Sequence, residues 1–162
     1  MTLHVFNPEH DIALAYDNKY FTAPHAGRQL RNDLDYLPVL WAEEDDYVLV
    51  ENVSSAQQHA LRLQRYGKQV QFIDKNDVER LSEQIDYVMP WGWDSSVKFH
   101  LGQLGVKESV LPEDKTLVDI RQLSNRQFSS AVLRDVQKEL SNPILLGKAT
   151  YIDSIVELES VL

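Results

Sequence analysis

The sequence predicts an α/β fold: a parallel sheet of at least four strands, the first of them interior, with helices on both faces and a helical segment after it. Three observations predict this. Short, largely apolar runs recur at Leu3–Phe6, Tyr47–Val50, Val70–Ile73 and Tyr87–Met89, as expected of strands. Stretches with helical spacing lie between them, the alternation that builds strand–helix–strand units. From Pro112 the strand pattern stops, and Leu117, Ile120, Leu123, Phe128, Val132, Leu133 and Val136 recur at helical spacing.

Taken in order, the first run is followed by Asn7-Pro8, a good cap and a good first helical residue. The crossover to the second run spans about forty residues and carries two helical stretches, an unusual length that often accompanies a site. After the second run, Ser54 or Ser55 is expected to cap a helix with Ala60, Leu61 and Leu63 on its inner side, ended by Gly67. Asn76 or Asp77 is expected to cap a short helix carrying Val78 and Leu81. Asp94 or Ser95 is expected to cap one carrying Val97, Leu101 and Leu104, closed near Gly105. The helical segment breaks near Ser124-Asn125 and ends before Asn142-Pro143. Residues 144–146 and 149–152 are expected to be extended, and Ser154 with Glu157 forms a capping box for a last helix. That helix has no stop signal and leaves an apolar face at the chain end, as in a frayed natural terminus or the N-terminal part of a longer protein. The expected organisation is an α/β domain over 1–111, a helical linker over 112–142 and a strand–helix unit over 143–162.

The 162 residues contain 16 Lys plus Arg against 25 Asp plus Glu, a net charge of −9. No broad cationic field exists to neutralise phosphates, which disfavours a nucleic-acid partner. No apolar run approaches the roughly 20 residues of a membrane span and no signal peptide opens the chain, so a cytoplasmic location without a membrane partner is expected. The absence of cysteine removes thiol catalysis and thiolate metal sites.

Three stretches can carry chemistry. The first is Phe6–Ala15, where Glu9 and Asp11 in the first helical turn offset the positive end of the helix dipole. That makes phosphate a poor ligand there, and an amine, a hydroxyl or a metal a better one. Asn7 with two acids also starts a helix well without any site, which leaves His10 unexplained. In the second, Thr22–Asn32, His25, Arg28 and Asn32 share one helix face beside the small Ala26 and Gly27. Arg28 can grip a carboxylate bidentately, with His25 as a second anchor; the alternative is a surface ion pair. In the third, Met89–Ser96, Trp91 and Trp93 flank Gly92 and can wall a pocket or simply pack, while Asp94 caps a helix or accepts from a ligand. All three are expected to meet at the carboxyl edge of the sheet, where open α/β folds bind ligands. The expected substrate-binding set is therefore Asn7, Glu9, His10, Asp11, His25, Arg28, Trp93 and Asp94. The glycines form neither a dinucleotide fingerprint nor a P-loop, Ser95 and Ser96 lack a nucleophile elbow, and no histidine pair has a zincin spacing. No metal is expected, a weak set of His10, His25 and Asp11 aside.

The segments FNPEHDIALA, TAPHAGRQLR and PWGWD resemble a family of uncharacterised bacterial proteins that share these motifs over about residues 4–130. The Rossmann-like layout is also similar to the pre-ATP-grasp domain that precedes the catalytic domains of ATP-grasp ligases. There, Asp119–Leu133, with Arg121, Ser124, Asn125 and Arg126, would be linking helices, and ATYIDSIVEL would lead to the lysine-bearing strand. This resemblance implies an N-terminal domain that holds a carboxylate or amine substrate for an ATP-dependent carboxylate–amine ligase. ATP and magnesium would be bound by a following ATP-grasp-like domain, beyond Leu162. The residues alone leave open a free-standing binding module, or a sugar- or nucleotide-processing enzyme with its own site at Asn7, His10, His25 and Asp94.

Overall fold

A computed structural model describes residues 1–63, 65–140, 151–152 and 154–161. Four strands, β1 (Thr2–Val5), β2 (Tyr47–Leu49), β3 (Gln71–Ile73) and β4 (Tyr87–Pro90), form one parallel sheet in the order β3-β2-β1-β4, with β1 interior. The helices are α1 (His10–Tyr16), α2 (His25–Leu34), α3 (Val53–Ala60), α4 (Lys75–Leu81), α5 (Ser95–Gln103), α6 (Asp114–Ser124), α7 (Arg126–Glu139) and α8 (Ile155–Val161). One compact unit spans Met1–Leu117 and a second Val118–Leu162, so the division falls inside α6. No helix among the described residues is long and apolar enough to cross a membrane.

The pleat sends alternate strand residues to opposite faces. Leu3, Tyr47, Ile73 and Val88 join Val78, Leu81, Val97 and Leu101 of α4 and α5 in the larger core, while Val48 and Val50 pack with Ala56 of α3 on the other face. Burial on both faces of β1 and β2 accords with the apolar character of their runs. β4 is an edge strand whose Tyr87 and Met89 remain exposed.

Asp94 caps α5 as expected, whereas α3 and α4 start earlier than the sequence suggests. Asn52 caps α3 by accepting from Ser55 N, and Asp74 caps α4 by accepting from Asn76 N. In each case a side chain just before the helix reaches forward to a free amide of the first turn, so the later serines, Asn76 and Asp77 fall inside the helix. The inner face of α3 is Ala56, with Leu61 exposed in a 3-10 turn. Gly67 is no left-handed cap; a Cβ there would come 2.7 Å from the carbonyl oxygen of Val39, so its role is close approach. Gly105 does close α5, at φ +90°. The helix break falls at Asn125, whose side chain accepts from Gln127 N and caps α7. Ser154 Oγ accepts from Glu157 N at 3.2 Å, as the capping box requires. The expected extended piece at 144–146, and 149–150 of the other, lie outside the described residues.

Two buried carboxylates respond oppositely to their surroundings. Asp46, at the amino edge of the sheet, accepts from Thr2 N, Glu43 N and His4 Nε2. Burial raises its pKa, but those hydrogen bonds outweigh it and hold the carboxyl below its ordinary value. Asp35 accepts from Glu51 N at 2.7 Å; there burial wins, aided by the charge of Glu51, and the pKa is raised. Asp46 therefore contributes stability above its unfolded pKa of about 3.9, lost as pH falls through the folded value, whereas Asp35 opposes folding once ionised. Asp46→Asn is expected to cost more stability at pH 7 than at pH 3, and Asp35→Asn to be relatively more favourable at pH 7. Urea unfolding of both variants at the two pH values checks this. Changes of the same sign in both would contradict it.

Candidate functional site

The chain turns from β3 back across the sheet to place β4 on the far side of β1, so the order reverses between β1 and β4. In open parallel sheets the crevice outside the carboxyl ends at such a reversal is where ligands bind. Here the loops leaving the two strands are stitched together. Asn7 Nδ2 donates to the carbonyl of Gly92 at 2.8 Å, and Asn7 Oδ1 accepts from Gly92 N at 3.3 Å. With its side chain used in this way Asn7 cannot cap α1. Instead His10 N donates to Asn7 O, and the helix begins at His10 with Glu9 in the cap position.

His10 lies against Gly92: a Cβ on that glycine would come within 2.2 to 2.5 Å of the imidazole Cδ2, Cγ and Nε2. Its Nδ1 is 3.2 Å from Asp94 Oδ2, with side-chain exposures of 14% and 3%. Asp94 Oδ1 accepts from Ser96 N and Val97 N, both at 2.9 Å, and so caps α5. An ionised carboxylate only accepts, so His10 donates from Nδ1, and in the neutral ring that leaves the lone pair on Nε2. Asp94 thus caps a helix and orients an imidazole.

A cavity of about 360 Å³ opens beside this device. Its lining includes Asn7 and Glu9 from the β1–α1 turn, Arg28 and Arg31 from α2, and Asp94 and His100 from the cap and body of α5. The loop from Lys19 to Ala23 and Phe99 complete it. The Ser96 hydroxyl donates to the Phe21 carbonyl and ties this loop to α5. Lys19 Nζ sits 5.0 Å from the centre of the Tyr20 ring and 5.4 Å from that of Phe99. Partial burial, then the charge of Arg31, lowers the pKa of His100.

The two arginines differ. Arg31 donates to Glu9 Oε1 at 2.6 Å. Arg28 donates from Nη1 to the Ala23 carbonyl at 2.5 Å and makes no ion pair with a described carboxylate. Glu9 is buried, 8% exposed, and its second oxygen, Oε2, has no hydrogen-bond partner among the described residues.

Of the eight expected residues, Asn7, Glu9, Arg28 and Asp94 line the cavity, and His10 adjoins it through Asp94. Asp11 and His25 are exposed and do not line it. Trp93 packs against the larger core, and Trp91 lies edge-on to Phe6 and beside Trp41, so neither tryptophan walls the cavity. Among the described residues no group of His, Asp and Glu could hold a metal ion. Arg31 could have been found from its spacing, one turn after Arg28; Lys19 to Phe21 sit in a loop without periodicity. Ser95 and Lys98, one turn apart on α5, form no nucleophile–base pair. Asp114, at 2.7 Å, holds Lys98 protonated against the opposing effect of burial.

No protein-family model, curated protein or solved structure matches the chain.

Proposed function

We propose that the Met1–Leu117 unit is a substrate-binding domain that seats a small carboxylate in this cavity. In this reading it serves an ATP-grasp-like carboxylate–amine ligase whose ATP- and magnesium-binding part follows it or belongs to another chain. The observation that supports the reading is Arg28: a guanidinium lining the cavity, anchored by one nitrogen to a carbonyl and free of any described carboxylate. A surface ion pair, the alternative open to the sequence, would have given it a carboxylate partner. The unit's own residues fit ATP poorly. No glycine-rich loop is present, and Asp94 occupies the first free amides of α5 that would otherwise cradle phosphate.

Replacing Arg28 with lysine removes the planar fork while keeping the charge. Charge-assisted hydrogen bonds contribute about 1.5–3 kcal/mol, so a roughly ten- to hundredfold loss of carboxylate affinity is expected. A thermal-shift screen of amino acids, short peptides and sugar acids against the parent protein and Arg28→Lys reads it. Equal shifts in both proteins for every hit would remove Arg28 from the site.

A second reading, a free-standing sugar- or nucleotide-processing enzyme, is favoured by one observation: the 3.2 Å contact of His10 Nδ1 with Asp94, an arrangement in which the neutral ring has Nε2 as its proton acceptor. Turnover of a sugar or nucleotide by the purified chain that disappears in His10→Ala would select it.

A further inference from the structure

Glu9, which lines the cavity, carries an unfilled valence of opposite sign to Arg28. A carboxylate oxygen removed from water and left without a donor is costly, and buried polar groups in folded proteins nearly always have partners. Glu9 Oε1 is satisfied by Arg31, but Oε2 of the same group is buried and has none among the described residues. The neighbouring carboxylate cannot share the task, because both oxygens of Asp94 are engaged, one by Ser96 N and Val97 N and the other by His10. Close packing holds Glu9 in place: a Cβ on Gly27 would lie 3.5 Å from Glu9 Cβ, so the first turn of α2 rests on it. The cavity is therefore lined by Glu9, whose buried Oε2 lacks a donor, and by Arg28, whose guanidinium has free donors, with the Lys19 ammonium nearby and the rings of Tyr20, Phe21 and Phe99 as apolar walls.

We infer that the ligand of this cavity is a zwitterion, a small amino acid whose ammonium group donates to Glu9 Oε2 while its carboxylate engages Arg28. The inference rests on the carboxylate-binding reading above and adds the amine. A simple acid would leave Oε2 empty, and a simple amine would leave Arg28 empty. An amino acid fills both, and its side chain has the aromatic walls to lie against.

The test uses the whole chain and isothermal titration. The twenty common L-amino acids, β-alanine and γ-aminobutyrate are titrated first, in parallel with the deaminated acid, the decarboxylated amine and the N-acetyl derivative of each tight binder. At least one zwitterion is expected to bind roughly ten- to hundredfold more tightly than its deaminated and N-acetylated forms, the scale of one charge-assisted hydrogen bond. Glu9→Gln, which keeps an acceptor for Arg31, is expected to bring the zwitterion down to the affinity that the same variant has for the deaminated acid. Because the analogue series is measured on the unaltered protein, the result stands even if Glu9→Gln does not fold.

The outcomes separate the two readings. Deaminated acids binding as tightly as their zwitterions would overturn the amine contact and leave the carboxylate reading intact. Amines binding as tightly as zwitterions would overturn the carboxylate reading. Acids that bind while no zwitterion does would sink this inference alone, and no binding by either class would sink both.

Discussion

Asp94→Ala is expected to lower the unfolding free energy by about 2–4 kcal/mol. Removing the carboxylate takes the cap from α5, at a typical cost of about 1–2 kcal/mol. It also leaves the largely buried Nδ1–H of His10 without an acceptor, worth about 1–3 kcal/mol. Since the two losses share one side chain, they need not add in full. Asp94→Asn is expected to cost less, because the amide oxygen can still cap Ser96 N and Val97 N. Gly92→Ala reaches the same device from the other side. The new methyl would occupy the space of the imidazole, the ring must leave, and the His10–Asp94 bond is lost with it. The two sites are therefore coupled. In a His10→Ala background Gly92→Ala should become nearly neutral, whereas additive costs, within about 0.5 kcal/mol in urea unfolding, would show that the ring does not rest on Gly92.

Leu101→Ala is expected to cost about 2–5 kcal/mol, the range for truncating a fully buried leucine in a core that relaxes only in part. Leu101 is 0% exposed and belongs to the cluster that joins α4 and α5 to the sheet. Leu61 supplies the control. The sequence pattern sets it on the inner side of its helix, yet it is 60% exposed, and Leu61→Ala should change stability by no more than about 0.5 kcal/mol. Chemical denaturation of both variants decides the matter. A comparable loss at Leu61 would mean that the inner face of α3 extends through its terminal turn.

The contrast shows what the sequence carries. Strands buried on both faces are mostly apolar, so Leu3–Phe6, His4 apart, and Tyr47–Val50 could be recognised without any partner in view, and Val97 and Leu101 followed from helical spacing. Caps were less legible, since Asn52 and Asp74 compete with several polar neighbours that differ only in backbone conformation. In the site, Asn7, His10 and Asp94 were recognisable as residues. Their connections were not, because the bonds of Asn7 to Gly92 and His10 to Asp94 span 85 and 84 positions. Arg28 stood out by its small neighbours. The vacancy at Glu9 Oε2 could not be read at all, as it depends on which oxygen Arg31 takes.

The interior place of β1 bears on how the chain comes off the ribosome. β1 lies in the middle of the sheet, but one side of that strand is covered only once β2 has been made and the other only once β4, ending at Pro90, has followed. At synthesis rates of about 5–20 residues per second, the 85 residues separating the end of β1 from the end of β4 take roughly 4–17 s to appear. Until β4 has appeared β1 lacks one of its two neighbours, and an incompletely paired strand is of the kind that chaperones hold.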